Sequence, residues 1–247
     1  MFRRLKLIVA YDGAPFAGWQ SQKHGNTIQD HLERAFERIG GKRIRLHGAG
    51  RTDAGVHALG QCAHVDLADS KLKATDWTRA LNATLPPQIR VLKCMFVSGD
   101  FHARLSAEGK VYRYRVWTGA VLPPLEYGRA WHVAQPLDAA RIRKAARLFV
   151  GRHDFRAFAA NRGHPEPDTT RTLHSVTVQR AGRFLALEFD GDGFLYKMVR
   201  LMVGSIVDCG RERVTPAEVA AQLRSAVAAP RRMVAPAGGL FLVRVRY

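Results

Sequence analysis

The sequence predicts an α+β fold. Strand-length apolar runs alternate with helix-period segments, and up to Val97 their order reads β-α-β-β-α-β, the split βαβ arrangement of ferredoxin-like domains. From Val111 onward come strands and helices of roughly the same kind, without a visible sequence repeat. The 247 residues suffice for one large or two small domains with a real core. An aperiodic stretch at Asp100-Phe101-His102-Ala103-Arg104 places the boundary there, giving expected domains 1–104 and 105–247.

Residues 5–11 are a short apolar run bounded by charge, a buried strand ending at Asp12-Gly13. Phe16-Ala17-Gly18-Trp19-Gln20 then sets two aromatics in a loop, as stacking platforms or, the preferred expectation, as hydrophobic plugs. Asn26 with Gln29 resembles a capping box, and Ile28, Leu32, Ala35, Phe36 and Ile39 recur at helical spacing until Gly40-Gly41. Ile44 and Leu46 begin a second strand, and 61–67 alternates as a third. Residues 76–85 carry Trp77, Leu81 and Leu85 at helical spacing before Pro86-Pro87, and 89–97 is another strand.

In the second half, 111–118 is a strand whose alternation puts Tyr112, Tyr114 and Val116 on one face and Arg113, Arg115 and Trp117 on the other. Its tyrosines read equally as core residues or as RNA-stacking rings. Asp138 caps a helix carrying Ile142, Ala145, Ala146 and Phe149, with Gly151 as end signal. Residues 153–167 look irregular, and 171–180 with 183–190 form a hairpin across Ala181-Gly182. The largely apolar helix 195–209 bears Lys197, Arg200 and Gly204 on one stripe. An unpaired guanidinium there is costly, so Arg200 either reaches water or meets a carboxylate. Thr215-Pro216-Ala217-Glu218 opens a last helix to Ala228, and 241–247 is the final strand.

Chemistry concentrates in residues 48–61, where four glycines surround Arg51-Thr52-Asp53 and hold one guanidinium and one carboxylate on a tight backbone. Thirty-nine Lys and Arg against twenty-one Asp and Glu leave a net charge of +18. That charge makes nucleic acid the expected partner and disfavours a hydrolase of small metabolites. No apolar run is long enough for a membrane span, and the N-terminus leads into a strand instead of a signal peptide. Cys62, Cys94 and Cys209 are scattered and read as core residues in a reducing compartment. His57, His64 and His102 lack partners at metal-ligand spacing, so no metal is expected.

The stretch Ala49-Gly50-Arg51-Thr52-Asp53-Ala54-Gly55-Val56-His57 resembles the signature of the tRNA pseudouridine synthase A (TruA) family. Further motifs follow the family's order along nearly the whole chain: Tyr11-Asp12-Gly13, Asp100-Phe101-His102-Ala103-Arg104, Lys110-Val111-Tyr112-Arg113-Tyr114, Asp154-Phe155-Arg156-Ala157-Phe158, Met198-Val199-Arg200 and Gly239-Leu240-Phe241-Leu242. The resemblance implies two ferredoxin-like halves packed around a central basic cleft, a cytoplasmic homodimer, and no cofactor. It implies isomerisation of uridine to pseudouridine at positions 38, 39 and 40 of the tRNA anticodon stem-loop. It assigns Asp53 as nucleophile, Arg200 as its pairing arginine, Tyr112 as the ring stacked on the target uracil, Leu240 as a wall of the base pocket, and Arg51 as an RNA contact. The rival class is a non-catalytic RNA binder, which has no use for a carboxylate facing phosphate.

Overall fold

The computed structural model describes residues 2–23, 25–68, 71–161, 163, 166–227 and 233–247. Among these the chain is mixed α/β with five α-helices and ten strands. It divides into two compact units, Met1–Glu108 with Phe241–Tyr247, and Gly109–Leu240. The final strand, expected with the second domain, is grouped with the first unit.

The first unit holds β1 (Phe2–Tyr11), α1 (Ile28–Gly40), β2 (His47–Gly48), β3 (His57–Ala68), α2 (Ala74–Thr84) and β4 (Ile89–Val97). Its strand order is β4-β1-β3, with β2 also paired to β3, and all these neighbours are antiparallel. The last strand of the chain, β10 (Leu240–Arg246), lies parallel to β3 with Phe241 opposite His57. Along β1 the alternate residues Leu5, Leu7 and Val9 are fully buried, as a strand with one core face requires. On its other face Ile8 sits opposite Cys62 and, like Phe101 and Val245, packs against the buried cluster of Ala49, Cys62 and Ala103. Helix α1 buries Ile28, Leu32, Ala35 and Phe36, and the Phe36 ring meets Trp77 of α2 at 5.1 Å. Asn82 of α2 clamps β4 by donating to Val91 O and accepting from Val91 N.

Two local expectations change here. The α1 cap is Thr27 with Asp30, not Asn26 with Gln29. Thr27 takes the N3 amide while Gln29 turns inward to Gln20 and Leu46 O. The second strand is only His47–Gly48, because Ile44 and Leu46 make no ladder, whereas the third begins early, at His57.

His64 on β3 is 2% exposed, accepts from Ala103 N and stacks on His47 at 5.0 Å, with His102 edge-on at 4.7 Å. Burial, with the Arg4 guanidinium and the neighbouring imidazoles, pushes its pKa down to about 4, Asp66 opposing weakly. The unfolded chain therefore binds a proton that the native chain refuses, so stability should fall as pH drops from about 6.5 towards 4. The loss is on the order of 2 kcal/mol. Urea midpoints for wild type and His64→Asn should diverge at pH 7 and converge near pH 4.5; parallel pH dependence would contradict this.

The second unit holds β5 (Gly109–Trp117), β6 (Trp131–His132), α3 (Ala139–Arg147), β7 (Gly151–Asp154), β8 (Thr170–Ala181), β9 (Phe184–Gly191), α4 (Met198–Gly210) and α5 (Pro216–Ser225). The strand order is β5-β9-β8-β7, antiparallel throughout, with β6 parallel to β5. Tyr112, Tyr114 and Val116 are buried as their alternation requires, opposite Phe189, Leu187 and Leu185 of β9. Asp138 caps α3 by accepting from Ala140 N and Arg141 N. Gly210 of α4 lies against Ile142 of α3, where a Cβ would come within 2.7 Å of its side chain.

Part of the stretch expected to be irregular is strand, because Gly151–Asp154 pairs with Thr170–Leu173. Helix α4 begins at Met198, with Lys197 in the left-handed region at φ 58, so Lys197 stands outside the stripe expected with Arg200. Helix α5 ends at Ser225, followed by a left-handed Ala226, and the expected end at Ala228 lies outside the described residues. So do residues 162, 164 and 165 of the loop 161–167. Phe16 and Trp19, 7% and 2% exposed, are plugs. The three cysteines are buried and unbonded to one another, and among the described residues no helix is long and apolar enough to cross a membrane.

Candidate active site

Asp53 lies on the connection from β2 to β3. Asp53 O accepts from Val56 N at 3.1 Å, and Gly55 occupies the third position of this turn at φ 78, the place where a type II turn requires positive φ. The carboxylate-bearing residue is half-buried and the preceding Arg51 is exposed.

The flanking backbone is held from both sides. Tyr11, 4% exposed, bonds Thr52 Oγ1 through its hydroxyl at 2.8 Å, and burial keeps that phenol protonated far above its ordinary range. Thr52 O accepts from Trp19 N at 3.0 Å. Gln61, fully buried, donates to Gly50 O at 2.9 Å, and Ala49 N donates to Cys62 O. Gly18, at φ 93, presses its backbone on the turn so closely that a Cβ would come within 2.7 Å of Thr52 O and 3.1 Å of the Asp53 carbonyl carbon. His57, 2% exposed, accepts from Gly13 N at 3.1 Å, lies 3.1 Å from Asp12 and stacks on Phe241 at 4.6 Å. Saturating the backbone polar groups of a loop in this way makes it rigid. The turn therefore presents Asp53 in one geometry.

The other expected site residues lie in the second unit. Tyr112, on β5 and 7% exposed, meets Phe194 edge-on at 5.0 Å. Arg200 stands in the first turn of α4, half-buried, with Nε donating to Ala235 O at 2.7 Å while Ala235 N donates to Arg200 O. Tyr114 donates its hydroxyl to Pro236 O at 2.7 Å and lies close enough to Arg200 to feel its charge. A short 3-10 turn, Ala237–Gly239, follows and delivers Leu240, 6% exposed. Arg200 and Tyr114 thus anchor the segment that positions Leu240. Part of the cost of the half-buried guanidinium is met by a backbone carbonyl, a third answer beside water and carboxylate.

Tyr11, Thr52 and Gln61 hold the Asp53 turn in the first unit, Tyr114 and Ala235 hold the Arg200 and Leu240 segments in the second, and the sequence does not announce them in those parts. Tyr11 and Tyr114 stand within motifs singled out above, but the hydroxyl bonds to Thr52 and Pro236 span 41 and 122 residues. Among the described residues no group of three or more His, Cys, Asp or Glu is arranged to hold a metal ion.

A profile described as tRNA pseudouridine synthase matches residues 7–104 and 145–247. A tRNA pseudouridine synthase A of Akkermansia muciniphila is 44% identical over 251 residues, covering 99% of this chain and 95% of its own. That of Acetivibrio thermocellus is 39% identical, covering 99% and 100%. That of Rhodospirillum rubrum is 43% identical, covering 99% and 87%. With its whole length matched by such relatives and two stretches matched by the profile, the chain belongs to the tRNA pseudouridine synthase family.

Proposed function

We propose that this chain is a tRNA pseudouridine synthase acting at positions 38, 39 and 40 of the anticodon stem-loop, with Asp53 as nucleophile. As a member of its family it isomerises uridine to pseudouridine in tRNA. The observation that carries the finer reading is the Asp53 turn. A half-buried carboxylate on a loop pinned by Tyr11, Trp19 and Gln61 suits a nucleophile whose approach to C1′ must be fixed.

In the reaction Asp53 acts at ribose C1′ as the C1′–N1 bond breaks and uracil leaves with its electron pair. The held base rotates, C5 bonds to C1′, the carboxylate is released, the C5 proton departs and N1 takes up a proton. Atoms and charge balance without oxidant or reductant. Because the target base must leave the stack to be reached, Tyr112 is proposed to stack on it, Leu240 to wall its pocket and Arg51 to contact the RNA. Arg200 is proposed to pair with Asp53, keeping it ionised while shielded from water. The antiparallel β4-β1-β3 order, with β2 on β3, supports reading the first half as a split βαβ domain. A second such half, homodimerisation and a cytoplasmic location rest on the resemblance.

The test is incubation of purified protein with unmodified tRNA, followed by chemical mapping of pseudouridine. Modification confined to 38–40 is expected, and tight binding without any pseudouridine would favour the non-catalytic RNA binder. Arg200→Ala should lower turnover and cost about 1–3 kcal/mol in urea unfolding, because Ala235 O loses its donor. Full activity together with unchanged stability would remove Arg200 from the site.

A further inference from the structure

Beyond the residues of the reacting site, the second unit carries a concentration of positive charge. On α3, Arg143, Lys144 and Arg147 are exposed, and among the described residues none has a carboxylate partner. Arg143 lines two adjoining concavities. One, of about 280 Å³, continues over Ile142, Val178 and Leu185 to Arg180 and Arg183 at the β8–β9 turn. The other is bordered by Lys144 and Arg147. No Asp or Glu lines either. Among the described residues Arg180 has only a backbone partner, Gly182 O, whereas nearby Arg141 is answered by Asp138 and Glu212. Five cations without a carboxylate partner among the described residues, drawn from a helix and a hairpin, repel one another until an anion arrives.

We propose that this face of α3 and the β8–β9 turn binds the phosphate backbone of the tRNA, a contact separate from the residues that handle the target base. Five cations over two concavities exceed what one phosphate-bearing metabolite neutralises and match a polyanion. The choice of RNA rests on tRNA being the substrate.

The test measures affinity of the full chain for unmodified tRNA at several salt concentrations. The variants are Arg143→Glu with Arg147→Glu, and a control of equal charge change, Lys42→Glu with Arg43→Glu, at exposed cations of the first unit. The α3 pair should weaken binding roughly tenfold or more at about 150 mM salt and flatten the log affinity against log salt slope by about 0.7–0.9 per lost phosphate. Single-turnover pseudouridine formation at saturating enzyme should not change. Arg143→Gln with Arg147→Gln should show the same loss more weakly, which guards against misfolding of the charge-reversed pair. Equal weakening by the control pair, or no change from the α3 pair, would overturn the proposal. So would a loss confined to binding of anionic vesicles. A wild type that binds tRNA through α3 yet forms no pseudouridine would refute the assigned activity and leave this surface standing.

Discussion

Asp53→Asn should abolish pseudouridine formation, a loss of about 10⁴-fold or more, while tRNA affinity stays within about threefold of wild type. The change removes charge and nucleophilicity from one atom and keeps the shape of a side chain whose turn is held by backbone bonds, Asp53 O to Val56 N and Thr52 O to Trp19 N. Binding, by contrast, draws on a polymer-wide charge attraction to which one carboxylate contributes little. Single-turnover assays with excess enzyme, beside filter binding, separate the two. Retained turnover in this variant would end the assignment of Asp53.

Gly18→Ala should be the most damaging change outside the proposed chemical groups. At φ 93 an L side chain is strained by about 1–3 kcal/mol, and here the new methyl also meets Thr52 O and the Asp53 peptide at 2.7 and 3.1 Å. The turn must shift, and a displacement of about 1 Å at a reacting group costs on the order of 10²-fold in rate. Gly25 supplies the control, with a positive φ of 66 and open space, nothing within 4 Å, where its added methyl would stand. Gly25→Ala should lose only the backbone-strain part of that stability, about 1–3 kcal/mol, and keep its single-turnover rate. Equal rates for the two variants would show that the contact with the Asp53 turn is not what matters.

Much of this arrangement was legible because the deciding signals are local. Glycines around Asp53 announced a constrained turn, and Gly55 and Gly18 do adopt positive φ there. The alternation of β5 announced which of its residues are buried. Strand β7 was not legible, because Gly-Arg-His-Asp has neither apolar alternation nor β-branched residues, and its pairing partner β8 supplies the order. The α1 cap moved by one residue because Asn26 and Thr27 are both good caps, and the choice falls to the bonds Asn26 makes with Pro15 O and His31. The supports within each unit, Tyr11 on Thr52 in the first and Arg200 on Ala235 in the second, join residues 41 and 35 apart, and pairings at that separation have no periodic trace. The same holds for the imidazoles of His47, His64 and His102, gathered by a sheet register and a loop.

The central claim is that the Asp53 turn serves to move uracil from N1 to C5 attachment. Its most direct test is tRNA carrying tritium at uridine C5, because bonding C5 to C1′ must expel that hydrogen to water. With excess wild-type enzyme, tritium release should equal pseudouridine formed, and Asp53→Asn should release none from tRNA it still binds. Bound tRNA that keeps its tritium with the wild type, or release unchanged by Asp53→Asn, would contradict the account.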